Sequence, residues 1–410
     1  MSVPSPEQPA QQHPGTVGEV FLVFLRLGLT SFGGPVAHLA FFREAFVERR
    51  RWLSEKAYAD VVALCQFLPG PASSQVGMAL GLQRAGYPGM FAAWFSFTMP
   101  SVLLLVAFAY GVAHAGDLTD AGWVSGLKAA AVAVVAHAVL GMAKSLAPDA
   151  PRATLAVFAT IIVLLLPQPF VLAGAIAATG FIGLIWLRPE AEQQSAEDAF
   201  TVRVSKKCAG VCLGLFAVLL AGLPLLVALT GNAYLTLADL FYRAGSLVFG
   251  GGHVVLPLLQ AETVSGGLVE PDTFLAGYGA AQAVPGPLFT FAGFLGASTT
   301  GAPGGLTGAV IATVAIFLPA GLLVVGALPF WESLRGHALA RRALMGVNAG
   351  VVGILAAALY TPVFTVGVLE VRNPALALCL VVAAFVALTS WRVPAWAVVI
   401  AAGLLGWLLL

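Results

Sequence analysis

Arg26 and Arg243 each lie inside an apolar segment, about a turn and a half before a glycine break, Phe32-Gly33-Gly34 in one case and Phe249-Gly250-Gly251 in the other. An unpaired cation at such a depth costs roughly 3 kcal/mol or more. No acidic residue stands at a matching position as an obvious partner, which favours a bound anion; pairing with a backbone carbonyl or with the opposite half is the alternative. Two guanidiniums in equivalent places suit a dianionic tetrahedral oxyanion, held through paired N–H to oxygen bonds.

Gln66 and Gln282 add amide donors three residues before two further breaks, Pro69-Gly70-Pro71 and Pro285-Gly286-Pro287. They can bind oxygens or simply fix the break by hydrogen bonding between helices. Ser73, Ser74, Gln75 and Thr290 follow the turns and supply hydroxyl and amide groups, and Asn348 is a similar case further on. His38 and His253 fall just after the first breaks and are candidates for proton coupling. Glu44 and Glu262 read as interfacial charges.

These residues recur because the stretch from Phe24 to Gly77 occurs twice, the second time from Phe241 to Gly293 in the same order. An internal duplication must be settled before any fold is assigned. In the surroundings of the breaks, non-helical backbone is tolerated within a membrane only where protein or a polar cavity satisfies the freed N–H and C=O groups. Half-helices starting after Gly34-Pro35, Gly70-Pro71, Gly251-Gly252 and Gly286-Pro287 would aim unpaired N–H groups at one central site, with Gly33, Gly34, Gly70, Gly250, Gly251 and Gly286 allowing close approach.

The membrane setting follows from composition. Of 410 residues, 59% are hydrophobic and 10% charged, with a mean hydropathy of +0.93, which excludes a soluble globular chain. A net charge of +1 without a basic patch excludes nucleic acid as a partner. No phosphate-cradling loop is present, and no haem, iron–sulfur or zinc ligand set, so neither a cofactor nor a metal is expected, nor an enzyme. The four cysteines, Cys65, Cys208, Cys212 and Cys379, read as small buried hydrophobes.

Residues 1–16 read as a disordered tail without a signal peptide, 17–188 as a first repeat, 189–233 as a polar linker plus one unpaired apolar helix, and 234–410 as a second repeat. Pro100 and Pro319 are expected to kink equivalent helices. One extra crossing between repeats of even crossing number places the second upside down. The charges agree. The connection between the broken segments carries Arg43, Arg49, Arg50, Arg51 and Lys56 in the first repeat, and Glu262, Glu270 and Asp272 without Lys or Arg in the second. The fold class is therefore an all-α polytopic membrane protein of two inverted repeats, with Gly/Pro-broken helices or re-entrant helical hairpins at the centre. Read as hairpins, the broken segments leave only Lys128 and Arg372 on the outer side, with Arg26 and Arg243 inside the hairpins; read as full crossings, they give 13 spans, about 20 residues being needed for each. Both place the N-terminus in the cytoplasm and the C-terminus outside.

The ordered double set of Arg26, Gly28, Phe32 to Pro35, Gln66 to Pro71, Gln75 and Gly77, with Phe249 to Gly252 and Gln282 to Pro287, resembles the chromate ion transporter family in its long, two-domain form. The resemblance covers the chain from about Val17 to Leu410; Gly252 departs from it where the first copy has proline. It implies a bacterial inner-membrane protein that exports chromate, with sulfate as a competing anion, and 13 crossings. The expected partners are thus chromate or sulfate and the lipid bilayer, with a homodimer compatible. A channel is the rival reading, and a membrane-embedded enzyme a remote one.

Overall fold

The computed structural model describes residues 15–32, 34–114, 121–166, 169–188, 200, 202, 204–249, 255–301, 303–331 and 337–410. Gly33, Gly250, Gly251, Gly252 and His253, the start of the tail and most of the acidic linker lie outside them. The described residues form sixteen α-helices.

The first half holds α1 (Val17–Thr30), α2 (Gly34–Arg43), α3 (Glu55–Phe67), α4 (Ala72–His114), α5 (Gly122–Leu146), α6 (Ala150–Leu165) and α7 (Pro169–Trp186). The single helix α8 (Lys206–Thr230) follows. The second half holds α9 (Ala233–Leu247), α10 (Val255–Thr263), α11 (Pro271–Ala283), α12 (Phe291–Ser298), α13 (Gly305–Ala327), α14 (Ala338–Ala358), α15 (Pro374–Thr389) and α16 (Ala395–Leu409). Side-chain caps fix where the short arms begin: Thr16 accepts from Glu19 N, Ser54 from Ala57 N and Asn232 from Tyr234 N. Five helical stretches are long and apolar enough to cross a membrane on their own, Ala72–His114, Gly122–Leu146, Lys206–Thr230, Gly305–Phe330 and Ala338–Leu369.

The arms around the breaks are too short for that. At 14 residues, α1 reaches about 21 Å, against a hydrocarbon core of about 30 Å. They also return to where they started. Arg84, at the end of the arm that begins α4, lies 5.0 Å above the Trp52 ring and 3.2 Å from Glu19 at the start of α1. Arg43 at the end of α2 reaches Glu55 at the start of α3 at 2.6 Å. Both broken segments of the first half are therefore hairpins opening at one end of the bundle. In the second half, Thr300 N donates to Leu268 O at 2.9 Å, which closes the α11–α12 hairpin in the same way.

The two sets open at opposite ends of α13. Past its C-terminal end Trp331 donates to Asp60 of α3 at 2.8 Å, whereas Gly305 at its N-terminal end shares a cavity with Glu270, Pro271 and Thr300. The 13 crossings implied by the family resemblance do not fit these folded-back arms.

A further break is added, and the cysteine expectation is corrected. The break in α4 falls at Ala85 and Gly86, where φ of Gly86 is 66°, and the backbone keeps helical angles at Pro100 and Pro319. A glycine at positive φ permits a sharper turn than a lost N–H does. Of the cysteines only Cys65 is buried, and Cys379 is exposed.

The halves interlock through small residues. Gly122 and Gly126 of α5 meet the backbone of Gly406 and Ala402 of α16, and Gly346 and Gly350 of α14 meet Thr179 and Gly183 of α7. Both are small-xxx-small contacts that bring backbones together where lipid offers no hydrophobic drive.

Candidate functional site

The breaks meet in pairs across the halves. Gly70 N donates to Val248 O at 2.7 Å, and Gly286 N donates to Ser31 O at 2.9 Å. Ser31 and Val248 are the equivalent residues at the ends of α1 and α9, so each Pro-Gly-Pro turn of one half is tied to the first break of the other. An exchange of equivalent contacts of this kind is what a two-fold relation produces. It also means that these two N–H groups are engaged within the protein and do not face an anion.

Glycine is required around this junction for close approach. An added Cβ on Gly28 would lie 2.8 Å from the Phe97 carbonyl oxygen of α4, and one on Gly245 would run into the Ile316 carbonyl of α13. Both carbonyls stand three residues before the prolines Pro100 and Pro319. Gly70 and Gly286 both have positive φ, 119° and 104°. On the second turn, Ser101 donates to Pro285 O. On the first, Gln75 Nε2 donates to Pro69 O at 2.8 Å, so Gln75 braces the turn that it follows.

Several buried polar atoms at the junction have no hydrogen-bond partner among the described residues: Ser31 Oγ, Ser74 Oγ, Gln75 Oε1, Thr98 Oγ1 and Gln282 Nε2. Buried polar groups are normally satisfied, so unsatisfied ones here are open to a ligand or water. Ser73 Oγ lies 3.4 Å from Nδ1 of His38, whose Nε2 lies 3.2 Å from Ser31 O. His38 is fully buried. Thr290 Oγ1 closes its own turn onto Pro287 O at 2.7 Å, while Gln66 is exposed.

The two arginines differ. Arg26 is exposed on α1 and makes no ion pair among the described residues. Arg243 is bound by Asp239 at 2.9 Å and by Glu262 at 2.9 Å. The expectation that neither arginine has an acidic partner therefore fails for the second copy. The signal was in the sequence: Asp239 precedes Arg243 by four residues, one helical turn. Glu44 does pair at the bundle end, with Arg49 at 2.5 Å. Asn348 keeps an Oδ1 in α14 without a partner among the described residues.

Ser31 and Ser101 were not singled out by sequence reasoning, which weighed residues after the turns and passed over carbonyl and hydroxyl groups on the partner helices. Among the described residues no three His, Cys, Asp or Glu side chains cluster as metal ligands.

A bundle of apolar helices with four interrupted arms meeting at buried, unsatisfied polar groups defines a polytopic membrane protein of transporter type. The chain belongs to the chromate transporter family, whose pattern matches residues 18–184 and again 235–407. It is 28% identical to a chromate transport protein of Pseudomonas aeruginosa, over 96% of this chain and 93% of that one. It is 26% identical to a chromate transport protein of Cupriavidus metallidurans, over 84% and 82% respectively. An uncharacterised transporter of Methanocaldococcus jannaschii is 26% identical over 82% of both chains. No solved structure matches the chain.

Proposed function

We propose that this protein carries chromate out of the cytoplasm by alternating access, as two inverted repeats that rock about the junction of their breaks. The observation that carries the reading is the reciprocal pair of hydrogen bonds, Gly70 to Val248 and Gly286 to Ser31. It couples each hairpin turn to the opposite repeat, so movement of one repeat must reshape the half of the site contributed by the other. The basic end, with Arg43, Arg49, Arg50, Arg51 and Lys56, faces the cytoplasm by the positive-inside rule, and the C-terminus lies outside.

The anion sits beside the first break. Arg26 supplies the free charge; Ser31, Ser73, Ser74 and Gln282 supply neutral donors, and the N-terminal turns of α2 and α4 add dipole. Gln66, Thr290 and Arg243 support the breaks and do not bind the anion directly. An inside-negative potential favours expulsion of a dianion by about 4.6 kcal/mol per 100 mV, from about 2.3 per charge. Efflux therefore does not require a coupled ion.

Uptake of labelled chromate and sulfate into proteoliposomes under an imposed potential, with and without a pH gradient, tests this. Saturable, potential-driven chromate flux that sulfate inhibits is the expected result. Flux that rises linearly with concentration and shows no counterflow would instead identify a channel.

A further inference from the structure

Lys128 is a cation that the central site does not use. It lies on α5, its side chain is 3% exposed, and Nζ is 2.5 Å from Oδ1 of Asp272 on α11. The two helices belong to different halves and are in close backbone contact two turns further along α11, where an added Cβ on Gly279 would lie 2.9 Å from the Leu127 carbonyl oxygen.

Asp272 is 26% exposed and lines a cavity of about 790 Å³ at the end of the bundle where the second hairpins open. Tyr110 and Thr273, Ser298, Thr299 and Thr300 bring hydroxyl groups to the same wall, with Glu270 and Glu370 at its acidic side. The Ser298 Oγ is buried and has no partner among the described residues. Asp272 thus stands between a buried ammonium and a cavity far larger than a tetrahedral oxyanion.

We propose that Lys128 is a second anion-binding residue on the outer route, and that the Lys128–Asp272 pair is a charge-exchange gate. In the closed, empty state the ammonium is held by Asp272. Separating a buried pair without replacing the lost carboxylate costs several kcal/mol, so the outer end stays shut in an empty carrier. An arriving dianion takes the place of the carboxylate on Lys128, and Asp272 turns into the cavity that it lines. Opening is thereby made conditional on an anion of suitable charge, because a state change needs a ligand that binds one state better than the other.

The inference rests on the transport reading above and predicts opposite effects for the two partners. Chromate counterflow into right-side-out membrane vesicles, with chromate varied on the outer side, measures them. K128Q is expected to raise the half-saturating chromate concentration at least tenfold. D272N removes the competing carboxylate and is expected to lower it severalfold, while admitting monovalent anions such as nitrate. A purely structural ion pair would give equal losses in both variants and recovery in the swapped pair K128D/D272K, and that result would overturn the inference. If D272N fails to insert, D272S, which also removes the carboxylate, takes its place: a lowered half-saturation supports the gate, and an unchanged or raised one refutes it. Wild-type vesicles that move no chromate would overturn the transport reading and this inference together. Wild-type transport with both variants equally impaired would overturn the inference alone.

Discussion

Arg26 and Arg243 occupy the same place in the two copies of one motif, five residues before Ser31 and Val248, and they have opposite surroundings. Arg243 is clamped by Asp239 and Glu262, with its side chain 35% exposed, whereas Arg26 is exposed and makes no ion pair among the described residues. The difference traces to two positions. Where the second copy has Asp239 and Glu262, the first has Leu22 and Ala45. The backbone relation between the copies is kept, in the reciprocal hydrogen bonds and in the paired glycine contacts, while the charge relation is broken. One copy holds its arginine in a clamp of two carboxylates, and the other leaves its arginine without an ion pair among the described residues.

The largest effect should come from making the first copy resemble the second. Introducing both acids, L22D/A45E, places two carboxylates within reach of Arg26. Chromate flux should fall about a hundredfold, which is about 2.8 kcal/mol, while thermal stability in detergent is nearly unchanged. Retained flux would show that Arg26 does not need to be free.

Next in size is removal of the clamp. Arg243→Gln leaves Asp239 and Glu262 close together without their cation. Breaking a fully buried pair costs about 3–5 kcal/mol, and the partial exposure here reduces that to roughly 2 kcal/mol. The loss should be seen as a lower melting temperature, and neutralising the acids as well, in R243Q/D239N/E262Q, should restore part of it. Equal stability of R243Q and the wild type would remove the structural role assigned to Arg243.

The last prediction tests the part of the comparison that is symmetric. Gly245→Ala and Gly28→Ala each push a Cβ toward a carbonyl of the packed proline-containing helix, and the approach is closer at Gly245. Overpacking of this kind costs about 1–3 kcal/mol, with Gly245→Ala at the upper end. Melting temperatures of the two variants check the order; the reverse order would mean that α4 and α13 do not hold their partners alike.

Much of this architecture was legible in the sequence because breakers and charges have strong local signatures. The doubled Pro-Gly-Pro turn marked the hairpins. The short arm lengths favoured hairpins over crossings, and the returns of Arg84 to Trp52 and Glu19 bear this out. The site was less legible. Which N–H groups remain free depends on contacts between residues far apart in the chain, and Gly70 to Val248 or Gly286 to Ser31 cannot be read from either repeat alone. The pairing of Lys128 with Asp272 is equally remote in sequence. The break at Ala85 and Gly86 was not singled out, while Gly28 packs against the carbonyls of Ser96 and Phe97, in the turn that Pro100 leaves without a donor.

The most direct test of the account is chromate flux in proteoliposomes under an inside-negative potential, comparing the wild type with Arg26→Gln. Both proteins must be shown to be folded by their melting temperatures. The account predicts saturable, potential-driven efflux in the wild type and a loss of at least tenfold in the variant, without a matching loss of stability. Efflux by Arg26→Gln at the wild-type rate would contradict it.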